Sequence, residues 1–204
     1  MWLADWIARR PALPASVQWL LFGIGNPGGR YRHTRHNAGF MVVDEVSRRL
    51  CRASRIREVD RARVCWGTTP KGYSVVCAKP LTFVNCSGES FELLTKRWGL
   101  EPRQCLVVVD DFHLPVGTLR IRTGGSDGGH RGLQSIAEKS GTDIPRLRVG
   151  IGPVPAGMTT VEFVLGRFGP EEKAAFVTSA SKAADAVFAC IEGGLNTAMN
   201  SYNG

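Results

Sequence analysis

Short apolar runs bounded by turn residues alternate along this chain with stretches of helical spacing. The runs at 19–24, 73–78 and 106–109, and the alternating stretches at 117–122 and 147–151, predict strands. Helical spacing covers 38–50, 87–98, 132–138 and 171–191, the last opened by Pro170 at a natural first position and closed by Gly193 and Gly194. Strands and helices in alternation predict an α/β layer structure, with ligands gathering at the carboxyl ends of the strands. No internal repeat, linker or low-complexity tract interrupts the order. With 204 residues at 22.2 kDa, a single domain is expected.

Composition narrows the class. The chain is 43% apolar and 22% charged, and no unbroken apolar run approaches the roughly 18 residues of a bilayer span, so no membrane segment and a cytoplasmic location are expected. Six cysteines, at 51, 65, 77, 86, 105 and 190, form no C-x-x-C pair, which argues against a disulfide framework or a zinc ribbon and for reduced thiols. The net charge of +8 is local: residues 1–63 hold 12 basic and 5 acidic residues (+7), residues 64–204 hold 14 and 13 (+1). Arg supplies 20 of the 26 basic residues, and its planar fork suits phosphate, so a polyanionic partner is expected.

The loops carry the chemistry. Gly23, Gly25 and Gly28 match G-x-G-x-x-G after a strand, but Pro27, Gly28 and Gly29 delay the helix that a dinucleotide site would start inside the turn, so that reading fails. Asn26 in the same turn offers a donor and an acceptor to a ligand, or serves as a plain turn former. His36 stands just before the helix that buries Phe40, Val43, Val46 and Leu50. Asp110, at the end of a strand, is a candidate to hydrogen-bond one imidazole nitrogen and leave the other basic; capping is the alternative for Asp110 and Asp111. His33 and His36 at i, i+3 lack a third ligand nearby in sequence, so no metal is expected. Gly124, Ser126 and Gly128 match a nucleophile elbow, but no histidine follows His130 and the order required for that mechanism is absent. This glycine-rich run, flanked by Arg120, Arg122 and Arg131, suits close backbone approach to phosphate. Asn85 is either a ligand-binding amide or the cap of the next helix.

The segments GIGNPGGRYRHTRHNAGF, KPLTFVNCSG, VVVDDFHLPVGTLRIRTGGSDGGHRGL, RLRVGIG and VEFVLGRF, in this order, closely resemble the bacterial-type peptidyl-tRNA hydrolases over residues 19–192. The resemblance implies a mixed central sheet flanked by helices in a domain covering 19–204, preceded by an extension at 1–18 of no assigned role. It implies hydrolysis of the ester joining a peptide to tRNA, without cofactor or metal, by a monomer. His36 then falls on the catalytic histidine and Asp110 on the aspartate orienting it. Asn26 and Asn85 match substrate-binding asparagines, Tyr31 and Phe83 match aromatic positions near the cleft, and Arg122 and Arg148, with Arg120 beside them, match residues meeting tRNA phosphates. The chain departs from the family's usual GGHNGL, placing Arg131 where a substrate-binding asparagine is expected. A guanidinium only donates, so a hydrogen bond from a substrate N–H is lost there. Val84 stands where methionine is common.

A second reading is a non-catalytic RNA-binding relative of the intron-splicing type. On a helix, Arg48, Arg52 and Arg55 would share one face and offer phosphate contacts away from the cleft.

Overall fold

The apolar runs assemble into one seven-stranded sheet in a computed structural model of the chain, which describes residues 12–203. Strands β1 (Trp19–Gly23), β2 (Cys51–Val59), β3 (Ala62–Thr68), β4 (Ser74–Pro80), β5 (Cys105–Pro115), β6 (Leu119–Arg122) and β7 (Arg146–Gly152) lie in the order β2-β3-β4-β1-β5-β7-β6. The central strands β4, β1, β5 and β7 are parallel, while β2, β3 and β6 run antiparallel to their neighbours. The sheet is therefore mixed, as the resemblance implied.

Both faces are covered. Helices α1 (Ala38–Leu50), α5 (Pro170–Gly193) and α6 (Leu195–Tyr202) cover one face, over a core that includes Leu21, Val43, Leu106, Leu147 and Val187. Helices α2 (Ser87–Trp98) and α3 (Arg131–Ser140) cover the other, around Phe22, Phe91, Leu94, Val107 and Ile136. A short helix, α4 (Thr160–Leu165), follows β7. Parallel strands covered on both faces read as continuous apolar runs, which is why β1 and β5 stand out in the sequence. Burial pushes the Cys105 and Cys190 thiols up to about 12, leaving them inert at neutral pH.

One expectation changes, and two segments gain detail. Residues 51–59 are strand, so the chain leaves the helix after Leu50 and the common helical face of Arg48, Arg52 and Arg55 does not exist. Arg48 instead forks onto Glu45 of its own helix, at 3.0 and 2.8 Å. Helix α5 is long and apolar enough to cross a membrane, but Phe176, Ala180, Ala183, Ala184, Val187, Cys190 and Ile191 on it are buried in the core, which is the signature of a core helix. Of the extension expected at 1–18, residues 1–11 lie outside the described residues. Residues beyond them pack on the domain: Val17 is buried, Leu13 lies against the same core, and Trp98 Nε1–H donates to the Pro14 carbonyl at 3.0 Å.

One contact sets the position of the site. A methyl group on Gly39 would fall 2.5 Å from the carbonyl oxygens of both Ile24 and Val108, so only glycine lets the start of α1 lie directly on the end of β1 and the first half of β5. The turn preceding α1 carries His36, and this close approach holds it over β5.

Candidate active site

The chain after β1 turns to α1 on one face, whereas the chain after β4 turns to α2 on the other. Diverging loops of this kind open a crevice at the carboxyl ends of parallel strands. The crevice is a cavity of about 330 Å³ lined by Asn26, His36, Phe83, Asn85, Asp110, His130 and Arg131, closed on one side by Val161, Val164 and Leu165 of α4. Residues up to 139 positions apart in the chain, Asn26 and Leu165, meet here.

Asp110 lies in β5, its side chain almost wholly buried. Both carboxylate oxygens are 3.0 Å from His36 Nδ1, and Oδ1 is 3.1 Å from His130 Nε2. The backbone fixes the proton positions. His130 caps α3: its Nδ1 accepts from the N–H groups of Gly132 at 3.1 Å and Leu133 at 3.4 Å, so in the neutral ring the proton sits on Nε2 and is donated to Asp110. His36 Nδ1–H donates to the same carboxylate. The remaining lone pair of His36, on Nε2, is left basic, with its ring partly open to the cavity.

Charge follows from the same contacts. Burial of Asp110 disfavours its anion, but His36 and His130 outweigh that cost and hold its pKa well below the usual carboxylate range. Burial likewise disfavours a His36 cation, yet the Asp110 carboxylate prevails and raises its pKa above 6.5. The result is a buried anion that orients one imidazole and strengthens it as a base. The His36, Asp110 and His130 atoms able to bind a metal all lie within 4.8 Å of one another, so this trio also has the composition of a metal site. An ion there would take the place of the protons that now bridge the imidazoles to Asp110.

The two asparagines differ. Asn26 is buried and clamped: its N–H donates to Asn37 Oδ1 at 2.8 Å, its carbonyl accepts from Asn37 Nδ2 at 3.0 Å, and its Oδ1 accepts from the Val84 N–H at 3.1 Å. Its acceptor is therefore committed, and what it can offer a ligand is the Nδ2 donor. Asn85 is exposed on the cavity wall within a turn at Val84–Cys86. It does not cap α2; the cap position is Cys86, with no side-chain bond. Its amide is open to a ligand on both edges.

Phe83 projects from the wall, 56% exposed, and Tyr31 meets it edge to face at 6.3 Å, outside the cavity lining. Arg131 is the first residue of α3, exposed at the rim. Arg120, Arg122 and Arg148 lie away from the cavity, on the β6–β7 ladder, where Arg120 sits opposite Arg148 and Arg122 opposite Arg146. The intervening Leu119, Ile121, Leu147 and Val149 are buried, so the four arginines share the other face. Like charges placed directly opposite repel, an arrangement suited to an anionic partner. Arg148 is tied by a 2.8 Å ion pair to Asp111, the neighbour of Asp110. Buried Arg146 braces the glycine loop, donating to the carbonyls of Ser126, Thr142 and Ile144 at 3.0, 2.8 and 3.2 Å.

Sequence reasoning missed His130 as a partner of Asp110, Asn37 as the clamp on Asn26, and the whole of α4. A histidine one position before a helix was the available sign for the first. Another neighbour of His36, Arg35, is also engaged: it bonds the Phe163 carbonyl at 3.3 Å and Glu172 at 2.8 Å, tying the His36 turn to α4 and α5.

Comparison with known proteins identifies the family. The family model described as peptidyl-tRNA hydrolase matches residues 20–204. A peptidyl-tRNA hydrolase of Chloroflexus aurantiacus is 44% identical over 187 residues, covering 91% of this chain and 98% of that protein. One from Syntrophomonas wolfei is 41% identical over 185 residues, covering 90% and 99%. The crystal structure of peptidyl-tRNA hydrolase from Acinetobacter baumannii superposes with a TM-score of 0.84 at 29% identity, covering 95% of this chain and 97% of that one. With the family model matching residues 20–204 and relatives more than 40% identical over about nine tenths of it, the chain belongs to the peptidyl-tRNA hydrolase family.

Proposed function

We propose that this chain hydrolyses the ester between a peptide and tRNA in peptidyl-tRNA, with His36 Nε2 as the general base. The observation that carries the mechanism is the shared Asp110 carboxylate, which holds His36 as its Nδ1–H tautomer. His36 Nε2 takes a proton from water as the water oxygen attacks the ester carbonyl. The oxyanion of the tetrahedral intermediate is met by N–H donors, for which the Asn26 Nδ2 group is suited because its oxygen is already engaged. Collapse breaks the bond to the ribose oxygen, which regains a proton from the imidazolium.

The substrate halves then lie on different groups. Asn85 and Asn26 hold peptide backbone, which lets the enzyme accept varied peptides. Phe83, with Tyr31 behind it, offers a surface on which the terminal base stacks. Arg120, Arg122 and Arg148 meet tRNA phosphates, and Arg131 adds a donor at the rim. In this reading the chain acts as a monomer in the cytoplasm and needs no metal ion, the base being the imidazole that Asp110 orients. The intron-splicing type of reading loses its carrying observation, because Arg52 and Arg55 lie in a strand.

The test is release of peptide from an N-acetyl-peptidyl-tRNA in the presence of EDTA. Turnover unchanged by chelation is expected and would be abolished in His36→Ala, with tRNA affinity within a few fold of wild type. No release above buffer would overturn the reading.

A further inference from the structure

On the opposite side of Asn26 from the catalytic dyad lies a second and larger groove, of about 740 Å³. Asn26 is part of both walls, so the two cavities adjoin. The exposed backbone of Gly28 and Gly29 forms one border of the groove, and Arg32, Arg63 and Lys79 converge on it with one acid, Asp44. The strand order gives the groove its orientation. From β5, which carries Asp110, the arginine ladder lies towards the β7–β6 edge, whereas Arg63 on β3 and Lys79 on β4 lie towards the other. A polyanion lying on β6 and β7 leaves the β4–β3 side for whatever is attached beyond the ester.

The cations are placed against their own repulsion. Arg63 and Lys79 are direct partners across the β3–β4 ladder, on one face. Each pairs with an exposed acid, Glu58 at 2.8 Å from Arg63 and Asp44 beside Lys79, and Lys79 also lies over the Phe40 ring at 5.7 Å. Arg32, on the far border, forms no ion pair among the described residues. Exposed pairs of this kind are weak and exchange readily for a carboxylate offered by a ligand. The groove thus presents three cations and two glycine amide edges to a segment of extended chain, with Pro27, Pro80 and Leu81 as its apolar contact.

We propose that this groove is a peptide subsite that favours acidic side chains one or two residues before the esterified residue. The proposal rests on the reading that the chain cleaves peptidyl-tRNA, and it adds a selectivity that the asparagines, which bind backbone, do not supply. An extended peptide advances about 3.3–3.6 Å per residue, so two residues carry the chain about 7 Å beyond the ester.

The test compares acetyl-X-X-Ala-tRNA with X as Asp, Asn or Lys, on wild type and on an Arg32→Gln/Arg63→Gln double variant. In wild type kcat/KM for Asp should exceed that for Lys about 5- to 10-fold, the size expected of one or two exposed charge contacts. The preference should shrink as salt rises. In the double variant it should fall towards unity, with the Asn substrate turned over within twofold of wild type. Equal rates for Asp and Lys in wild type, or a preference that survives the double substitution, would overturn the subsite. Titration of labelled protein with the methyl esters of acetyl-Asp-Asp-Ala and acetyl-Lys-Lys-Ala gives a readout without turnover. The acidic peptide should shift the Gly28 and Gly29 amides, and the basic one should not. Shifts that are absent, or the same for both peptides, refute the proposal. Failure to release peptide from any of the three tRNAs would instead sink the proposed function and leave the titration to decide the groove.

Discussion

Asp110→Asn isolates the electrostatic core of the site, because it keeps the shape of the side chain while removing its charge and one acceptor. In the native site the carboxylate accepts from two imidazoles, with contacts of 3.0 Å to His36 and 3.1 Å to His130. An amide has one acceptor oxygen. His130 is fixed as a donor at Nε2 by its cap on α3, so the amide oxygen turns to it and the amide N–H2 faces His36. His36 Nδ1 must then accept, which moves its proton to Nε2 and points a donor at the water where a base is needed. A positioned general base contributes about 10²–10⁴ in rate, and each tenfold is about 1.36 kcal/mol, so the barrier should rise by about 2.7–5.4 kcal/mol. Single-turnover release of peptide from N-acetyl-peptidyl-tRNA measures the chemical step directly. The expected result is a fall of at least 10² in rate with tRNA affinity within twofold of wild type, since Asp110 is buried away from the arginine ladder. A variant within a few fold of wild-type rate would refute the inference that Asp110 sets the tautomer.

Other outcomes follow from particular contacts. Gly39→Ala forces a methyl group to 2.5 Å from two carbonyl oxygens and should destabilise the fold by about 1–3 kcal/mol, read from a denaturant midpoint, with a drop in kcat because His36 rides on that junction; an unchanged midpoint would show that α1 shifts freely. His130→Ala removes the cap of α3 and one donor to Asp110, so it should cost about 0.5–2 kcal/mol of stability and lower kcat less than loss of His36 does. Arg122→Ala should weaken tRNA binding and lower the magnitude of the log-log salt slope by about 0.7–0.9, the release of one counterion; a wild-type slope would remove Arg122 from the phosphate face. Arg131→Ala should raise KM with kcat within a few fold, because its side chain stands at the rim and has no bond to the dyad.

The strands that the sequence made visible are the four central ones, which read as apolar or alternating runs, and the edge strand β6, which alternates buried and exposed positions. β1, β4, β5, β6 and β7 fall on the expected segments because their apolar or alternating runs are uninterrupted. β2 and β3 went unseen: residues 51–63, which form the edge strand β2 and the start of β3, hold five arginines, and a charge-rich strand has the spacing of a solvated helix face as readily as that of a strand. α4, with six residues, is too short for helical periodicity to register. The candidate site residues were legible because Asn26, Asn85 and His36 are polar residues in loops that follow strands or precede helices. Their bonding was not. The partition of Asn26 into a committed oxygen and a spare amide depends on Asn37 and Val84, and the tautomer of His36 depends on a cap made by His130, ninety-four positions on. Contacts over such separations are set by the topology of the sheet and leave no local trace in the chain.

The central claim is that His36 is the base, held as its Nδ1–H tautomer with a pKa raised by Asp110. A group that must be neutral to act loses activity as pH falls through its pKa, and a raised value places that acid limb above 6.5. The deciding measurement follows the His36 ring by nitrogen-15 NMR through a pH titration, beside the pH dependence of kcat/KM. The account predicts that neutral His36 carries its proton on Nδ1, and that it titrates above 6.5 at the same pH as the kinetic limb. A proton on Nε2, or a titration that departs from the kinetic limb, would contradict it.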